Sequence, residues 1–268
     1  MGHRDTSSQF EGTSFELVDA TKPRYDHAQP GYVSLGYRIR AVRTFEHIAE
    51  VCELRQRAFG RRQPELARAL RKPEPADFEP GNLILMAIRK ATDEIVGTAR
   101  MHTNLNSPLE YETHIELPTH FRGLLLGGCS RLAVDAGPDS ANVTRLLFKT
   151  FYWFSLAQQV SRLLITAEPP RDRLYKLFGF RDVFPGRLFR TESTPQYGCK
   201  LLSLELATVD GVLAEVNPGF LAFLKVHTPD IEIFSSAVTG MWAAPRQNDK
   251  KRIAGAIPGL HRATGSTG

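Results

Sequence analysis

Cysteine is scarce in this sequence, and the few thiols are widely separated. The 268 residues contain three cysteines, Cys52, Cys129 and Cys199, and no Cys-x-x-Cys pair. An odd, scattered set of this kind indicates neither a disulfide framework nor a thiolate metal site. We therefore expect a reducing compartment, no metal and no tightly bound cofactor.

Long apolar runs are also missing. No stretch has the length needed to cross a bilayer, and the polar first 30 residues lack the apolar segment of a secretion signal. We therefore expect a cytoplasmic protein without integral membrane contact. Zinc-ligand spacings, helix-turn-helix signatures and ribonucleoprotein motifs are absent too, so we expect no nucleic-acid partner despite the basic charge.

Basic residues are in excess, with a formal net charge of +5 and a pI of about 9.2. The densest basic stretch runs from Arg55 to Lys72 within sequence of helical character. Such a stretch favours an acidic partner, while a solvated helical face is the plain alternative.

The pattern along the chain divides it into four parts. Residues 1–30 are polar with little periodicity and are predicted to be loosely ordered, and residues 31–207 are predicted to form the main folded domain. Residues 208–244 are predicted to form a helical extension. Residues 245–268 are rich in Gly, Pro and basic side chains and are predicted to be a mobile tail.

Strands and helices alternate irregularly in the folded part. Period-two and short apolar runs predict strands at 37–42, 83–89, 95–102, 129–134, 163–167, 180–184 and 201–206. Helical spacing predicts helices after an N-cap at Thr44, at 64–72, 141–163 and 171–177, and at 212–226 with an interruption at Asn217-Pro218. This order predicts an α+β fold with a mixed, mostly antiparallel sheet flanked by helices.

Several of these segments occur in the order seen in GNAT acyltransferases. They are the strand Ser130-Arg-Leu-Ala-Val134, an acidic turn with glycine, a long helix, Leu164-Ile-Thr-Ala167, and Leu174-Tyr-Lys-Leu-Phe-Gly-Phe180. The chain resembles, more narrowly, the N-acyl amino acid synthases and, more distantly, the acyl-homoserine lactone synthases. Leu54-Arg55 with Phe59, Asp77, Val96-Gly-Thr-Ala-Arg100 and Ser130 to Val134 carry this narrower resemblance, which covers about Tyr37 to Leu206.

The resemblance implies a GNAT fold and transfer of an acyl group, expected to be long, from a phosphopantetheine thioester to the amine of an amino acid or similar small molecule. The product would be lipid-like. The donor would be an acidic acyl carrier protein, or alternatively coenzyme A. Its thioester would lie along Cys129, Ser130, Leu132 and Val134, where backbone amides stabilise an oxyanion, and its phosphate at Ser140 and Ala141.

The same resemblance implies roles for six further side chains. Tyr175 would protonate the departing thiolate, with packing before Phe178 and Phe180 as the alternative. Arg100 would clamp the substrate carboxylate, and Asp77 would orient the amine unless it is an exposed loop residue. Arg55, Phe59 and Arg131 would bind the amine substrate, although an internal salt bridge is the stronger reading for Arg131.

Two positions depart from the family pattern. Gly137-Pro-Asp-Ser-Ala141 replaces the usual glycine-rich pyrophosphate loop, which favours a carrier protein over coenzyme A. Gly128 stands where the related synthases have a glutamate that accepts a proton from the amine. Upstream candidates for that function are Glu110, Glu112, His114 and Glu116.

Other functions stay open at this point. A homoserine-lactone-type signal synthase, a coenzyme A-dependent N-acetyltransferase and a catalytically impaired protein that binds acyl carrier are all compatible with the pattern. Cys129 is interpreted as a packed strand residue rather than a nucleophile. Acyl length and the identity of the amine are not encoded in any motif.

Overall fold

The computed structural model describes residues 35–191 and 194–233. The predictions for residues 1–30 and for the tail 245–268 lie outside these ranges, as does the end of the predicted extension. Within the described ranges, no helix combines the length and apolar character that a bilayer-spanning segment requires.

The described residues form eight strands and six α-helices. The strands are β1 (Tyr37–Ala41), β2 (Leu83–Arg89), β3 (Ile95–Thr103), β4 (Leu126–Val134), β5 (Arg162–Ala167), β6 (Arg181–Asp182), β7 (Phe189–Thr191) and β8 (Thr194–Glu205). The helices are α1 (Phe45–Gly60), α2 (Pro64–Ala69), α3 (Ser140–Ala157), α4 (Asp172–Leu177), α5 (Val209–Val216) and α6 (Pro218–Lys225).

One mixed sheet organises these elements. Its strand order is β1-β2-β3-β4-β5-β8-β6, and β7 pairs with β8. The β4–β5 pair is parallel, and the other pairs in the described part are antiparallel. The prediction of a mixed, mostly antiparallel sheet flanked by helices is therefore confirmed.

The continuous apolar run of β2 reflects burial on both of its faces. Successive strand residues point to opposite sides, so Leu83, Leu85 and Ala87 join the core beneath α3. Ile84 and Met86, on the other side, pack with the apolar face of α1. The helices thus cover the two faces of the sheet and leave the strand ends to form a site.

Local chemistry sets the ends of the two long helices. Thr44 caps α1 as predicted, because its hydroxyl accepts a hydrogen bond from the backbone N–H of His47. The prediction that the third helix continues to residue 163 is wrong, since α3 ends at Ala157. Gln159 adopts a left-handed backbone with φ of 57°, which terminates the helix and lets Val160 turn back into the core.

The region between β6 and β8 contains more strand than the sequence pattern predicts. The strand predicted over 180–184 is only two residues long, and β7 together with the first half of β8 was missed. Pro195 and Gly198 lie in that half of β8 and weaken the strand pattern.

The C-terminal helices belong to the same core as the main sheet. Asn217 separates α5 from α6 and caps α6 by accepting a hydrogen bond from the Phe220 N–H, as the predicted interruption requires. The ring centroids of Phe220 and Phe178, which follows α4, lie 4.4 Å apart. Beyond α6 the chain returns to β1, where the Ile39 N–H donates to the Asp230 carbonyl at 2.7 Å and the Glu232 N–H donates to the Ile39 carbonyl at 2.9 Å.

Candidate active site

The central feature of the site is a divergence of two parallel strands. The β4–β5 ladder pairs Leu126 with Arg162 and ends with Gly128 opposite Leu164. Beyond Gly128, β4 keeps its pairing with β3 but has no ladder partner in β5. Backbone groups on that side of β4 are therefore available to a ligand that enters between the strands.

A bulge re-aims β4 within this opening. Arg100 faces Ser130 and Thr98 faces Ala133, so one extra residue of β4 lies between these two partners. Arg131 has a φ of 54°, a conformation uncommon for a side chain with a Cβ. Bulges of this kind bend a strand and redirect its side chains, and they are common beside active sites.

The opening forms a cavity of about 130 Å³. Its walls come from the α1–α2 helices, the segment around the end of β3, the open part of β4, and the strands and helix across from it. The lining residues are Phe59, Gln63, Leu66, His102, Glu110, Tyr111, Cys129, Ser130, Arg131, Leu132, Thr166, Ala167, Glu168, Arg171, Tyr175 and Cys199.

A buried network of charges supports one wall of the cavity. Asp77 accepts hydrogen bonds from Arg55 Nη1 at 2.8 and 3.0 Å and from Arg100 Nη1 at 3.0 Å. Glu74 accepts from Arg100 at 3.0 Å and from Arg131 at 2.6 and 2.7 Å. These contacts tie α1, the turn that contains Glu74 and Asp77, β3 and β4 together.

The two carboxylates of the network are held ionised. Burial alone would raise the pKa of Asp77, but the charges and hydrogen bonds of Arg55, followed by Arg100, hold it below its ordinary value. Burial likewise opposes ionisation of Glu74, whose pKa is lowered by Arg131 and then Arg100. The network is therefore charged at neutral pH.

The predicted amine-site residues divide into two groups. Phe59 and Arg131 line the cavity, whereas Arg55, Asp77 and Arg100 lie behind its wall. Arg55 and Asp77 are each 0% exposed, so the alternative of an exposed loop carboxylate at Asp77 is wrong. The internal salt bridge expected for Arg131 is present, because its guanidinium forms a fork–fork pair with Glu74.

The predicted donor-site residues follow the open strand. Cys129, Ser130 and Leu132 line the cavity, and the Ser130 hydroxyl accepts a hydrogen bond from Arg100 Nε at 3.1 Å. Val134 lies farther along β4, beside a second depression that faces α1. Ser140 and Ala141 begin α3, where the helix dipole creates an electropositive end, although the Ser140 N–H donates to the Gly137 carbonyl at 3.2 Å.

Tyr175 reaches the cavity, as a general acid must, and also packs in the core. Its side chain lines the cavity and also packs edge-on against Phe180, with ring centroids 6.0 Å apart. Burial raises the pKa of the phenol, and Cys129 adds to the effect. The hydroxyl therefore keeps its proton at neutral pH and can serve as a donor.

Cys129 is not an activated thiol. Burial raises the pKa of Cys129 to about 12, against a smaller opposing effect of Arg100. A nucleophilic cysteine needs the thiolate form near neutral pH. The interpretation of Cys129 as a packed strand residue therefore fits its surroundings.

Glycine stands at position 128, where the related synthases have a glutamate. The sequence offers four upstream residues as replacements for that carboxylate. Glu110 lines the cavity. Glu112 instead accepts hydrogen bonds from the Leu109 N–H at 2.7 Å and from Asn104 at 3.2 Å, while His114 and Glu116 are exposed away from the cavity. Of these four, Glu110 alone reaches the cavity.

His102 and Arg171 are two of the cavity residues that the sequence pattern does not indicate. His102 ends the predicted hairpin strand and is the ladder partner of Gly128, so pairing the predicted strands in register would have located it. Arg171 follows two prolines after β5, and its guanidinium makes no hydrogen bond or ion pair with any residue that the structure describes. Burial and then the neighbouring charge of Arg62 lower the pKa of Arg171.

Comparison with known proteins gives a family match over more than half of the chain. Residues 50–201 match the model of the N-acyl amino acid synthase FeeM. A search of curated proteins returns no match.

Several solved structures are similar to this chain. The structure of FeeM, an N-acyl amino acid synthase from uncultured soil microbes, aligns with a TM-score of 0.52 and 15% identity over 65% of this chain and 93% of that one. A CoA-dependent acyl-homoserine lactone synthase, BjaI, aligns with a TM-score of 0.49 and 17% identity over 68% and 90%. The synthase LasI aligns with a TM-score of 0.46 and 12% identity over 63% and 90%. With the fold, the diverging strands and the family match in agreement, this chain belongs to the FeeM family of N-acyl amino acid synthases and is an acyltransferase of the GNAT fold.

Proposed function

We propose that the protein transfers an acyl group from an acyl carrier protein thioester to the amine of an amino acid. The observation that carries this proposal is the cavity between the diverging strands, in a chain of the FeeM family. A thioester carbonyl placed along the open part of β4 would meet backbone N–H groups that stabilise the oxyanion formed on attack. Tyr175 would then give a proton to the departing thiolate.

Arg171 is proposed to recognise the substrate carboxylate, in place of Arg100. Arg100 uses its guanidinium on Ser130, Glu74 and Asp77. Arg171 faces the cavity with its guanidinium uncommitted to any described side chain, and a planar guanidinium binds a carboxylate through paired hydrogen bonds. Arg131 and the buried network would shape the wall behind the substrate.

The reaction is tested with the purified protein, a palmitoyl thioester of acyl carrier protein and a mixture of the proteinogenic amino acids. We expect N-palmitoyl amino acids by mass spectrometry, together with release of one thiol for each amide. In Arg171→Met, the KM for the preferred amino acid is expected to rise by about 10-fold or more, the equivalent of about 1.4 kcal/mol.

A descarboxy amine with the same side chain provides the matched substrate. Its KM is expected to be the same for the wild type and Arg171→Met, because it offers no carboxylate to the guanidinium. An equal loss with both substrates would contradict carboxylate recognition by Arg171. Absence of amide with every amino acid would contradict the proposed reaction itself.

The carrier protein is proposed to dock on the basic face of the α1–α2 region. Arg57, Arg61, Arg62, Arg68, Arg71 and Lys72 are exposed on it, whereas Arg55 of the same stretch is buried. Gln63 and Leu66 of this region line the cavity, so a carrier docked here would have its arm close to the opening. An acidic carrier surface would complement these charges.

Charge reversal tests the docking face. In the double variant Arg68→Glu/Arg71→Glu, kcat/KM for the carrier-bound donor is expected to fall by about 10-fold or more at low salt, with a smaller difference at high salt. The control Arg122→Glu/Arg181→Glu changes the same charge at exposed positions elsewhere on the surface and is expected to stay within about 2-fold. Equal effects of the two double variants would show that net charge, rather than this face, determines donor binding.

A further inference from the structure

One imidazole reaches the cavity where the transfer needs a proton acceptor. His102 lies near the end of β3 and lines the cavity together with Cys129 and Ser130. Its Nδ1 is buried and has no hydrogen-bond partner in the described part of the chain. A buried polar atom left unsatisfied is costly for the fold, and a catalytic role is one reason for which such an atom is kept.

The imidazole occupies the space above Gly128. His102 and Gly128 are direct partners in the β3–β4 ladder. A Cβ on residue 128 would lie only 2.5 Å from His102 Nε2 and 2.8 Å from the Tyr111 hydroxyl. The glycine is therefore what permits the ring to lie there, and no side chain could extend from residue 128 while the ring keeps this position.

The surroundings of the ring keep it neutral. Burial lowers the pKa of His102 to about 4, and the charges of Arg100 and Arg131 act in the same direction. The other ionisable groups that line the cavity around it are Glu110, Tyr111, Cys129, Glu168, Arg171, Tyr175 and Cys199. A neutral imidazole has a lone pair available at neutral pH.

We propose that His102 is the general base of the acyl transfer, an inference that rests on the N-acyltransferase function proposed above. As the amine nitrogen attacks the thioester carbon, the C–N bond forms and the carbonyl electrons move to oxygen. His102 Nε2 takes a proton from the nitrogen, which is positively charged in this intermediate. The C–S bond then breaks, the thiolate takes a proton from Tyr175, and the proton on His102 returns to Tyr175 through water.

The reaction balances without a further reactant. One thioester and one amine become one amide and one thiol, without oxidation or reduction. A weakly basic imidazole can accept a proton from the cationic nitrogen of the intermediate, which is far more acidic than a free ammonium group. General-base catalysis of this kind contributes about 10²–10⁴-fold to the rate.

Glu110 is the rival acceptor, because it is a carboxylate on the same cavity wall. It differs from His102 in that it contributes to the field that raises the pKa of Arg131. Its carboxylate therefore lies within the electrostatic reach of the Arg131 guanidinium. Within the described ranges, no carboxylate pairs with His102, whose ring lies over Gly128, where the open part of β4 begins.

The test compares His102→Ala and Glu110→Gln with the wild type, using the palmitoyl-carrier thioester and the preferred amino acid. His102→Ala is expected to lower kcat by about 100-fold or more with little change in either KM. Added imidazole is expected to restore activity to His102→Ala in proportion to its unprotonated concentration. The exposed control His120→Ala is expected to keep wild-type kcat.

A second variant tests whether a carboxylate can replace the imidazole as the base. In His102→Ala/Gly128→Glu, the space left by the ring admits a carboxylate from the neighbouring strand β4, once the Tyr111 hydroxyl shifts from its place 2.8 Å from the new Cβ. This variant is expected to be about 10-fold or more faster than His102→Ala. Gly128→Glu alone is expected to be poorly active, because its Cβ would collide with His102.

The outcomes separate this inference from the proposed function. A kcat for His102→Ala within about 3-fold of the wild type would overturn the role of His102. A loss restored by neither imidazole nor the second variant, with the larger loss in Glu110→Gln, would assign the base to Glu110. Absence of amide from the wild type itself would overturn the proposed reaction before any variant is compared.

Discussion

Replacing Asp77 with asparagine is expected to lower the free energy of unfolding by about 3–5 kcal/mol, because it leaves a buried guanidinium without its counterion. Arg55 is 0% exposed, and its ion pair is with Asp77. Arg100 would keep Glu74 as a partner, so the loss of stability is expected mainly at α1, which contains Arg55. Equilibrium unfolding in urea measures the change.

An exposed carboxylate provides the matched control for Asp77. Asp93 pairs with Arg38 and has a side chain 75% exposed, so Asp93→Asn is expected to change stability by less than about 1 kcal/mol. Adding Arg55→Met to Asp77→Asn is expected to recover part of the loss, with a coupling energy of about 0.5–3 kcal/mol. Equal stability of the Asp77→Asn protein and the wild type would contradict a charged, buried network.

The same network predicts acid sensitivity. The pKa of Asp77 is lower in the folded protein than its ordinary value of 3.8. The unfolded chain therefore binds more protons as the pH falls through this range, and the stabilisation from Asp77 is lost toward its folded pKa. The Asp77→Asn protein is expected to lose less stability than the wild type between pH values of about 5 and 2.

Replacing Lys149 with methionine is expected to lower stability by about 2–4 kcal/mol, since buried acceptors lose their donor at about 1–3 kcal/mol each. Lys149 lies on α3 and is 0% exposed. Its ammonium donates to the carbonyls of Phe223 and Val226 at 2.6 and 2.5 Å and to the Thr228 hydroxyl at 2.8 Å. Removal of a buried charge offsets part of the loss.

Hydrogen exchange should localise the effect of Lys149→Met to residues 218–233, with β2 and β3 protected as in the wild type. The control is Lys225→Met, whose side chain is 53% exposed and pairs with exposed Asp210, so a change below about 1 kcal/mol is expected. Burial lowers the pKa of Lys149 to about 8. As the pH rises from about 8 to 10.5, the ordinary pKa of lysine, the free energy of unfolding of the wild type should therefore increase. The variant should show no such increase. Unchanged exchange at 218–233 would contradict the anchoring role.

Much of the fold was predictable because its signals are local. Apolar runs bounded by turns identified β2, β3 and β5, and helical spacing located α1 and α3. The end of α3 was not predictable from composition, since glutamine is a good helix former and the turn at Gln159 is set by the burial of Val160.

The site was less predictable, because its contacts join residues far apart in the sequence. Asp77 stands in a proline-rich segment that is typical of an exposed loop, yet it pairs with Arg55 and Arg100, more than 20 residues away on either side. A sequence pattern does not contain these pairings. The missing side chain at Gly128 was visible in the sequence, whereas its filling by His102 required the register of β3 on β4.

The outer edge of the sheet is covered at its centre by residues 230–232. Both backbone polar groups of Ile39 in β1 are satisfied by residues 230–232. A strand with such groups exposed is a template for pairing with other chains and promotes aggregation. Because this segment contributes none of the residues that line the cavity, a chain shortened after α6 would keep its catalytic groups while gaining a self-associating edge. The contacts that cover this sheet edge and the residues that line the cavity thus come from separate parts of the sequence.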